Sequence, residues 1–214
     1  EAAHAPIQSY NGTACTLLPA VTDRSTQWVV IVEHDNQTLP AIRRLFPNSQ
    51  IVWRIDSPVG LYARALEVPA GQSAQLPVQN QVSADFGGDI QLIGYSELDK
   101  VKPGQTLDLT LAFRDVEPLD RLYKFFIHAA GADGSILAQD DRYPCDYTLN
   151  QADWRPGNIL LQNFEVAIPT DAAAGSYAIK LGVYDPNSGS RLLVGQSALD
   201  HDLDQVNLGT VVVK

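Results

Sequence analysis

The feature that most constrains the fold is a strict alternation of apolar and polar side chains between Gly175 and Tyr184. The apolar positions, which recur at every second residue, are Tyr177, Ile179, Leu181 and Val183. A period of two is typical of a β-strand that buries one face in a core and turns the other towards water. Turn-forming residues follow at 185–189 and apolar residues return at 192–194, so the sequence predicts a β-hairpin here.

The same alternation recurs through the C-terminal two thirds of the chain. Together with the hairpin it predicts eight short strands, at 89–95, 106–114, 122–130, 135–140, 164–168, 175–184, 192–194 and 206–213. Short strands separated by turn signals are typical of two antiparallel sheets that pack face to face. We therefore predict a mainly β fold in which 85–214 form an eight-stranded antiparallel β-sandwich, jelly-roll-like in type.

The N-terminal third has a different pattern, which predicts a small α/β unit over 1–72. Its continuous apolar run at 27–33 is typical of a strand that is covered on both faces. The run is followed by a helix and two further strands, predicted at 38–46, 51–55 and 61–68. The segment 73–84 is rich in Gln, Ser and Ala, and we predict that it links this strand–helix–strand–strand unit to the sandwich.

The charge of the chain excludes one class of partner. The 214 residues carry a net charge of −10 at pH 7. Because nucleic-acid binding depends on the neutralisation of phosphates, a chain this acidic argues against nucleic acid as a partner. No apolar run approaches the roughly 20 residues that are needed to cross a bilayer. The chain contains no methionine and starts at Glu1, which favours a mature or excised product.

The two cysteines, Cys15 and Cys145, fall in different predicted units. Two are too few for a disulfide-rich secreted scaffold. Buried unpaired thiols are the simpler interpretation, since a free cysteine packs like a small apolar side chain. Pairing is the alternative, and it would close a loop of more than about 100 residues, worth up to about 4–5 kcal/mol in the chain-entropy model.

Several strings within 84–214 resemble a known family. They are ADFGGDIQLIGYSEL, VKPGQTLDLTLAFR, WRPGN and IPTDAAAGSYAIKLGVYDPNSGSRL. They are similar to the C-terminal extracytoplasmic region of bacterial membrane glycosyltransferases that resemble dolichyl-phosphate-mannose protein mannosyltransferases. The resemblance implies a non-catalytic accessory domain of a polyprenyl-phosphate-sugar-dependent enzyme, on the extracytoplasmic face of the bacterial cell membrane. It also implies that the partner is the transmembrane part of the same polypeptide, which would carry the catalytic residues.

Aromatic and charged residues cluster in and beside the irregular segment 143–158. The candidates for a ligand-binding surface are Asp141, Tyr143, Tyr147, Trp154 and Arg155. Flat aromatic faces can pack on pyranose rings and charged groups can bind hydroxyls, so the cluster favours a carbohydrate or a lipid-linked sugar as ligand. The alternative is that Trp154 fills the end of the core.

Three aspartates near the C-terminus, Asp200, Asp202 and Asp204, have the spacing with which a calcium loop opens. An EF-hand is excluded, because Gln205 stands where its glycine is needed and Val211 where its bidentate glutamate is needed. A looser calcium site of the kind that sandwich modules carry remains the alternative to a solvated acidic loop.

The sequence contains no G-x-S-x-G elbow, glycine-rich phosphate loop or C-x-x-C motif, and we identify no catalytic residue. The leading hypothesis is the non-catalytic accessory domain, which would position a glycan or acceptor near the membrane. A carbohydrate-binding β-sandwich module is the first alternative. A protein-interaction sandwich without a small ligand is the second.

Overall fold

The computed structural model describes residues 8–20, 23–150 and 153–214. These ranges contain one α-helix, α1 (Thr38–Leu45), and a 3₁₀ turn at Pro144–Tyr147. No helix in these ranges is long and apolar enough to span a bilayer. The strands of the described residues number thirteen: β1 (Cys15–Leu18), β2 (Thr26–Ile31), β3 (Gln50–Ser57), β4 (Gly60–Val68), β5 (Asn80–Phe86), β6 (Ile90–Tyr95), β7 (Thr106–Asp115), β8 (Lys124–Ala130), β9 (Ile136–Arg142), β10 (Ile159–Ala167), β11 (Gly175–Tyr184), β12 (Val194–Ser197) and β13 (Val206–Val213).

Two antiparallel sheets share the main core. One has the strand order β1-β10-β7-β6-β5-β12, and the other has the order β13-β11-β8-β9. Phe113 of the six-stranded sheet stacks on Phe125 of the four-stranded sheet, with ring centroids 4.2 Å apart. The prediction of a mainly β, antiparallel fold is thus confirmed. Among the described residues, the two sheets of the sandwich contain ten strands and not the predicted eight, because β1 and β5, which begin outside 85–214, join the six-stranded sheet.

The third sheet, in the order β2-β4-β3, packs with α1 against the outer face of the six-stranded sheet. Trp28, Ile42 and Leu66 belong to the same buried cluster as Leu161 of β10. The prediction that β2 is covered on both faces is wrong, since Val29 is 58% exposed. The helix covers one face of this small sheet, and no element of the described residues covers the other.

The chain segments do not follow the predicted division closely. The predicted order strand, helix, strand, strand is present as β2, α1, β3 and β4. However, β1 pairs with β10 of the six-stranded sheet, and β5 begins at Asn80, inside the segment 73–84 that was predicted as a linker. The division into domains at 1–72 and 85–214 stays a prediction.

Only the start of the predicted hairpin after β11 is present, namely its turn and a short antiparallel contact. The Asp185 carboxylate accepts the backbone N–H of Asn187 at 2.8 Å, and the backbone carbonyl of Asp185 accepts the N–H of Gly189 at 2.8 Å. The returning chain then makes a single bridge between Tyr184 and Arg191. It crosses to the other sheet, where β12 pairs with β5. The apolar residues 192–194 therefore lead into the six-stranded sheet.

The favoured interpretation of two unpaired thiols is wrong, because Cys15 and Cys145 form a disulfide. The thiols meet because β1 forms the edge of the six-stranded sheet, beside the 3₁₀ turn that carries Cys145. Both sulfurs are buried in the main core.

Candidate functional site

The candidate functional site lies on the outer face of the four-stranded sheet, which is the face turned away from the main core. Its inward residues, such as Ile127 and Leu181, are fully buried in the core. Residues directly opposite each other on neighbouring strands share a face. The register therefore places one set of side chains on the outer face: Lys124, Phe126 and His128 of β8, Asp141 of β9, and Lys180, Gly182 and Tyr184 of β11.

Phe126 forms the floor of this outer face. Its ring lies flat beneath the Arg191 guanidinium, whose carbon is 4.4 Å from the ring centroid. His128 occupies the next outward position of β8, and the centroid of its ring lies 4.5 Å from the centroid of the Phe126 ring. The Phe126 ring can lie over the backbone of β11 because Gly182, the residue opposite Phe126, has no side chain. A cation over an aromatic face is attracted by the ring quadrupole, so Arg191 is held in place.

A test of this packing is the substitution Gly182→Ala. A Cβ at this position would collide with the Phe126 ring and would lie 2.9 Å from the Asp204 carbonyl oxygen. We expect the free energy of unfolding to fall by about 1–2 kcal/mol, in the range typical of overpacking, as measured by urea denaturation. Gly175→Ala is the matched control on the same strand, because its Cβ would meet only the Tyr177 ring edge at 3.7 Å. Equal stabilities of the two variants would contradict the proposed role of Gly182.

Two tyrosines stand at the end of the outer face. The rings of Tyr143 and Tyr147 lie 3.5 Å apart between centroids, and the Lys124 ammonium is 4.9 Å from the Tyr143 ring centroid. Tyr147 is 65% exposed. Positive φ angles at Cys145, Asp146 and Tyr147 (50°, 51° and 67°) turn the chain so that the two rings meet. Non-glycine residues rarely adopt this region, and such strain is concentrated at functional sites.

Asp141 lies beside this tyrosine pair. The Tyr184 hydroxyl donates a hydrogen bond of 2.9 Å to Asp141 Oδ2. Burial and this carboxylate raise the pKa of Tyr184 to about 12, so the phenol stays protonated and acts as the donor. The other oxygen, Oδ1, is buried and has no hydrogen-bond partner among the described residues. Because this oxygen is buried, Asp141 acts in this structure as the acceptor that positions Tyr184 and makes no contact with a ligand.

A polar groove of about 440 Å³ continues the outer face away from the tyrosines. Its lining includes His128, Lys180, Arg191 and Gln205. Burial lowers the pKa of His128, which keeps the imidazole neutral near pH 7. A neutral imidazole can both donate and accept a hydrogen bond. The groove therefore offers donors and acceptors side by side, which suits a polyhydroxylated ligand.

The structure brings together three of the predicted ligand residues, Asp141, Tyr143 and Tyr147. Trp154 is instead 2% exposed, packs edge-on against Phe125 with centroids 6.1 Å apart, and has no ring face available for a sugar. This placement matches the alternative in which Trp154 fills the end of the core. Arg155 is exposed in the following loop and has no hydrogen bond or ion pair from its side chain within the described ranges.

The three aspartates of the predicted calcium loop do not converge. Lys180 Nζ binds Asp202 at 2.9 Å and Arg191 binds Asp204 at 3.5 Å. Hydrogen bonds from Lys180 and Gln205 lower the pKa of Asp202. Among the described residues, no three His, Cys, Asp or Glu side chains form a group that could hold a metal ion. Asp202 and Asp204 instead hold two cations at the edge of the groove, and calcium binding by Asp200, Asp202 and Asp204 stays a prediction.

Sequence reasoning missed several members of the site although the signal was present. The alternation in β11 already separated Lys180 and Tyr184 from the buried Ile179 and Leu181. The sequence did not indicate that β8 is the strand next to β11 on this face. The partnership of β11 with β8 depends on pairing between segments about 50 residues apart.

Comparisons with known proteins assign no family. No family model matches the chain, and no curated protein matches it. Among solved structures, the chain is similar to "Crystal structure of the C-terminal domain of wzt", at 14% sequence identity and a TM-score of 0.43. The match covers 65% of this chain and 82% of that one. Similarity at this level assigns no function, and the resemblance to mannosyltransferase-like enzymes stays a prediction.

Proposed function

We propose that the chain is a carbohydrate-binding β-sandwich module and that the outer face of the four-stranded sheet is its binding surface. The observation that carries the proposal is the adjoining pair of Tyr143 and Tyr147, in which Tyr147 is 65% exposed at the end of the outer face. Sugar sites combine a flat apolar ring face with a few fixed polar groups, and this surface supplies both.

The contacts around the tyrosines support a preorganised surface. Lys124 lies over one face of Tyr143, and Tyr147 covers another part of the ring. The disulfide at Cys145 fixes the turn that carries Tyr147. A ligand therefore meets a ring whose position is already set, which reduces the ordering cost of binding.

The bound sugar would lie along the sheet from the tyrosines into the groove. The side chains that face this path are His128, Lys180 and Arg191, and all three carry N–H groups. Lys180 is held by Asp202 and Arg191 by Asp204. Donors held by carboxylates have fixed directions, so they can select hydroxyl stereochemistry. The path predicts recognition of an oligosaccharide rather than of one sugar ring.

The membrane-associated role implied by the family resemblance is a second candidate. In it, the module belongs to a polyprenyl-phosphate-sugar-dependent glycosyltransferase and works outside the cytoplasmic membrane. The Cys15–Cys145 disulfide supports this location, because disulfides form and persist in oxidising compartments. The transmembrane partner remains part of this proposal.

The carbohydrate proposal is tested with Tyr147→Ala. We expect the full chain to bind members of a panel of neutral and acidic oligosaccharides, and we expect the variant to lose about tenfold or more in affinity. Loss of one stacked aromatic is worth about 1–2 kcal/mol, and 1.4 kcal/mol corresponds to a factor of ten. Isothermal titration calorimetry of the best binder from the panel gives the dissociation constants.

Tyr62→Ala is the matched control for this experiment, since Tyr62 is an exposed tyrosine of β4, outside the four-stranded sheet. The control is expected to bind like the unchanged chain. Absence of binding to every oligosaccharide of the panel, or equal affinity of the Tyr147 and Tyr62 variants, would refute the proposed surface.

A further inference from the structure

A second cavity lies in the small α/β unit, on the face of the three-stranded sheet that carries α1. It has a volume of about 350 Å³, within the range of small-molecule pockets. The pocket exists because α1 has only eight residues and leaves part of this face uncovered. Leu66 is fully buried on β4, whereas Ile51, its partner on β3, remains 40% exposed at the pocket. The uncovered part of the face forms the pocket floor.

Most of the pocket lining is apolar. The apolar side chains come from the helix and from both strands of the β3–β4 pair, and they include Leu39, Ile51, Leu61 and Leu66. An apolar surface of this kind gains free energy when an alkyl chain displaces its water. The lining therefore favours a ligand with a hydrocarbon part.

Two arginines complete the lining, Arg43 from α1 and Arg64 from β4. Neither guanidinium has an ion-pair or side-chain hydrogen-bond partner within the described part of the chain. Arg64 stands directly opposite Arg54 on β3. Two like charges at opposed positions destabilise a sheet, and only Arg54 is neutralised, by Nε and Nη2 hydrogen bonds of 3.1 and 2.9 Å to Asp56.

Asp35 is the one carboxylate of the lining. It forms no ion pair with either arginine, and both of its oxygens accept hydrogen bonds from residues at the start of α1. Asp35 Oδ1 accepts the backbone N–H groups of Gln37 and Thr38 at 2.9 Å each, and Oδ2 accepts the Thr38 hydroxyl. The pocket thus combines an apolar floor with two unpaired cations. This local excess of positive charge stands against the net charge of −10 of the whole chain.

We propose that this pocket binds an anionic amphiphile, a molecule with a carboxylate or phosphate head and an alkyl chain. The head group lies between Arg43 and Arg64, where a planar guanidinium can bind two anionic oxygens at once. The alkyl chain lies on Leu39, Ile51 and Leu61. Binding gives Arg64 the anionic partner that it lacks and covers Ile51 in the same step.

The test uses four small probes and the full chain, all below micellar concentrations. Octyl phosphate and octanoate carry both required features, 1-octanol lacks the charge, and inorganic phosphate lacks the alkyl chain. Isothermal titration calorimetry is expected to show binding of at least one of the two anionic amphiphiles, at least tenfold tighter than 1-octanol and inorganic phosphate. Preference for octyl phosphate would indicate a phosphate head as the natural group, and preference for octanoate would indicate a carboxylate.

Substitutions locate the site. Arg64→Gln and Arg43→Gln are each expected to weaken binding of the preferred probe about tenfold. Arg44→Gln is the matched control, because Arg44 is the exposed neighbour on the same helix and does not line the pocket. Thermal denaturation shows whether each variant is folded. Equal binding of 1-octanol, absence of binding by both anions, or equal affinities of the Arg43, Arg44 and Arg64 variants would overturn the proposal.

Discussion

Loss of the Cys15–Cys145 disulfide is expected to lower the free energy of unfolding by about 3–5 kcal/mol. The two cysteines are 130 residues apart, so the bond removes a large loop from the freedom of the unfolded chain. In the folded state it ties the edge strand β1 to the 3₁₀ turn, and both sulfurs lie in the core. The magnitude is a large fraction of the 5–15 kcal/mol that is typical of a folded domain.

The measurement is urea denaturation of a Cys15→Ala, Cys145→Ala double variant, with the unchanged chain as reference. Dithiothreitol serves as an internal control, because it is expected to destabilise the unchanged chain and to leave the double variant unaffected. The variant is also expected to lose affinity on the oligosaccharide panel, since Cys145 precedes the turn that places Tyr147. A stability change below about 1 kcal/mol would show that the bond contributes little to the fold.

Stability is also expected to fall as the pH rises from about 4 to about 7, because of Asp115 at the end of β7. Its side chain is 0% exposed, and neither carboxylate oxygen has a hydrogen-bond partner in the described structure. Burial, followed by the charges of Asp89 and Glu117, raises the pKa of Asp115 to about 7. The folded chain therefore keeps a proton that the unfolded chain releases, and folding becomes less favourable until the pH exceeds the folded-state pKa. Between about pH 4 and pH 7, the titration of Asp115 is expected to lower the free energy of unfolding by about 2–4 kcal/mol.

Asp115→Asn tests this effect, because asparagine has nearly the same shape and no charge at any of these pH values. We expect the variant to be more stable than the unchanged chain at pH 8 and to gain little or nothing at pH 4. Thermal melting between pH 4 and pH 8 gives the comparison. Asp108→Asn, an exposed aspartate on the same strand, is the control that should follow the unchanged chain. Parallel pH profiles of the Asp115 variant and the unchanged chain would exclude Asp115 as the cause.

Local patterns in the sequence predicted what depends on neighbouring residues. The alternation in β11 correctly separated the buried Ile179 from Lys180, because side chains of a strand point to opposite faces regardless of what the strand pairs with. The turn at Asp185 was predicted for the same reason, since its hydrogen bonds lie within the turn.

The errors concern contacts between distant segments. The apolar run of β2 predicted two covered faces, but burial of Val29 would require a further element, and none of the described residues provides it. The crossing of β12 to β5 and the pairing of Cys15 with Cys145 likewise depend on segments far apart in sequence.

The candidate site was predicted in part. Asp141, Tyr143 and Tyr147 are close in sequence and were identified together. The contact between the two tyrosine rings depends on positive φ angles at Cys145, Asp146 and Tyr147. Pro144 and Asp146 mark a turn here, but they do not specify three consecutive left-handed residues. Trp154 shows the opposite case, in which an aromatic residue suited to either a surface or a core is assigned only by its surroundings.

The place of β1 at the edge of the six-stranded sheet has a consequence for biosynthesis. β1 leaves the ribosome before β10, its hydrogen-bonding partner, and a long stretch of chain is translated between the two strands. Until then Cys15 carries a reactive thiol on an unpaired strand. A chain arrested before β10 would present that strand to neighbouring nascent chains, so intermolecular disulfides through Cys15 are the expected by-product of incomplete synthesis.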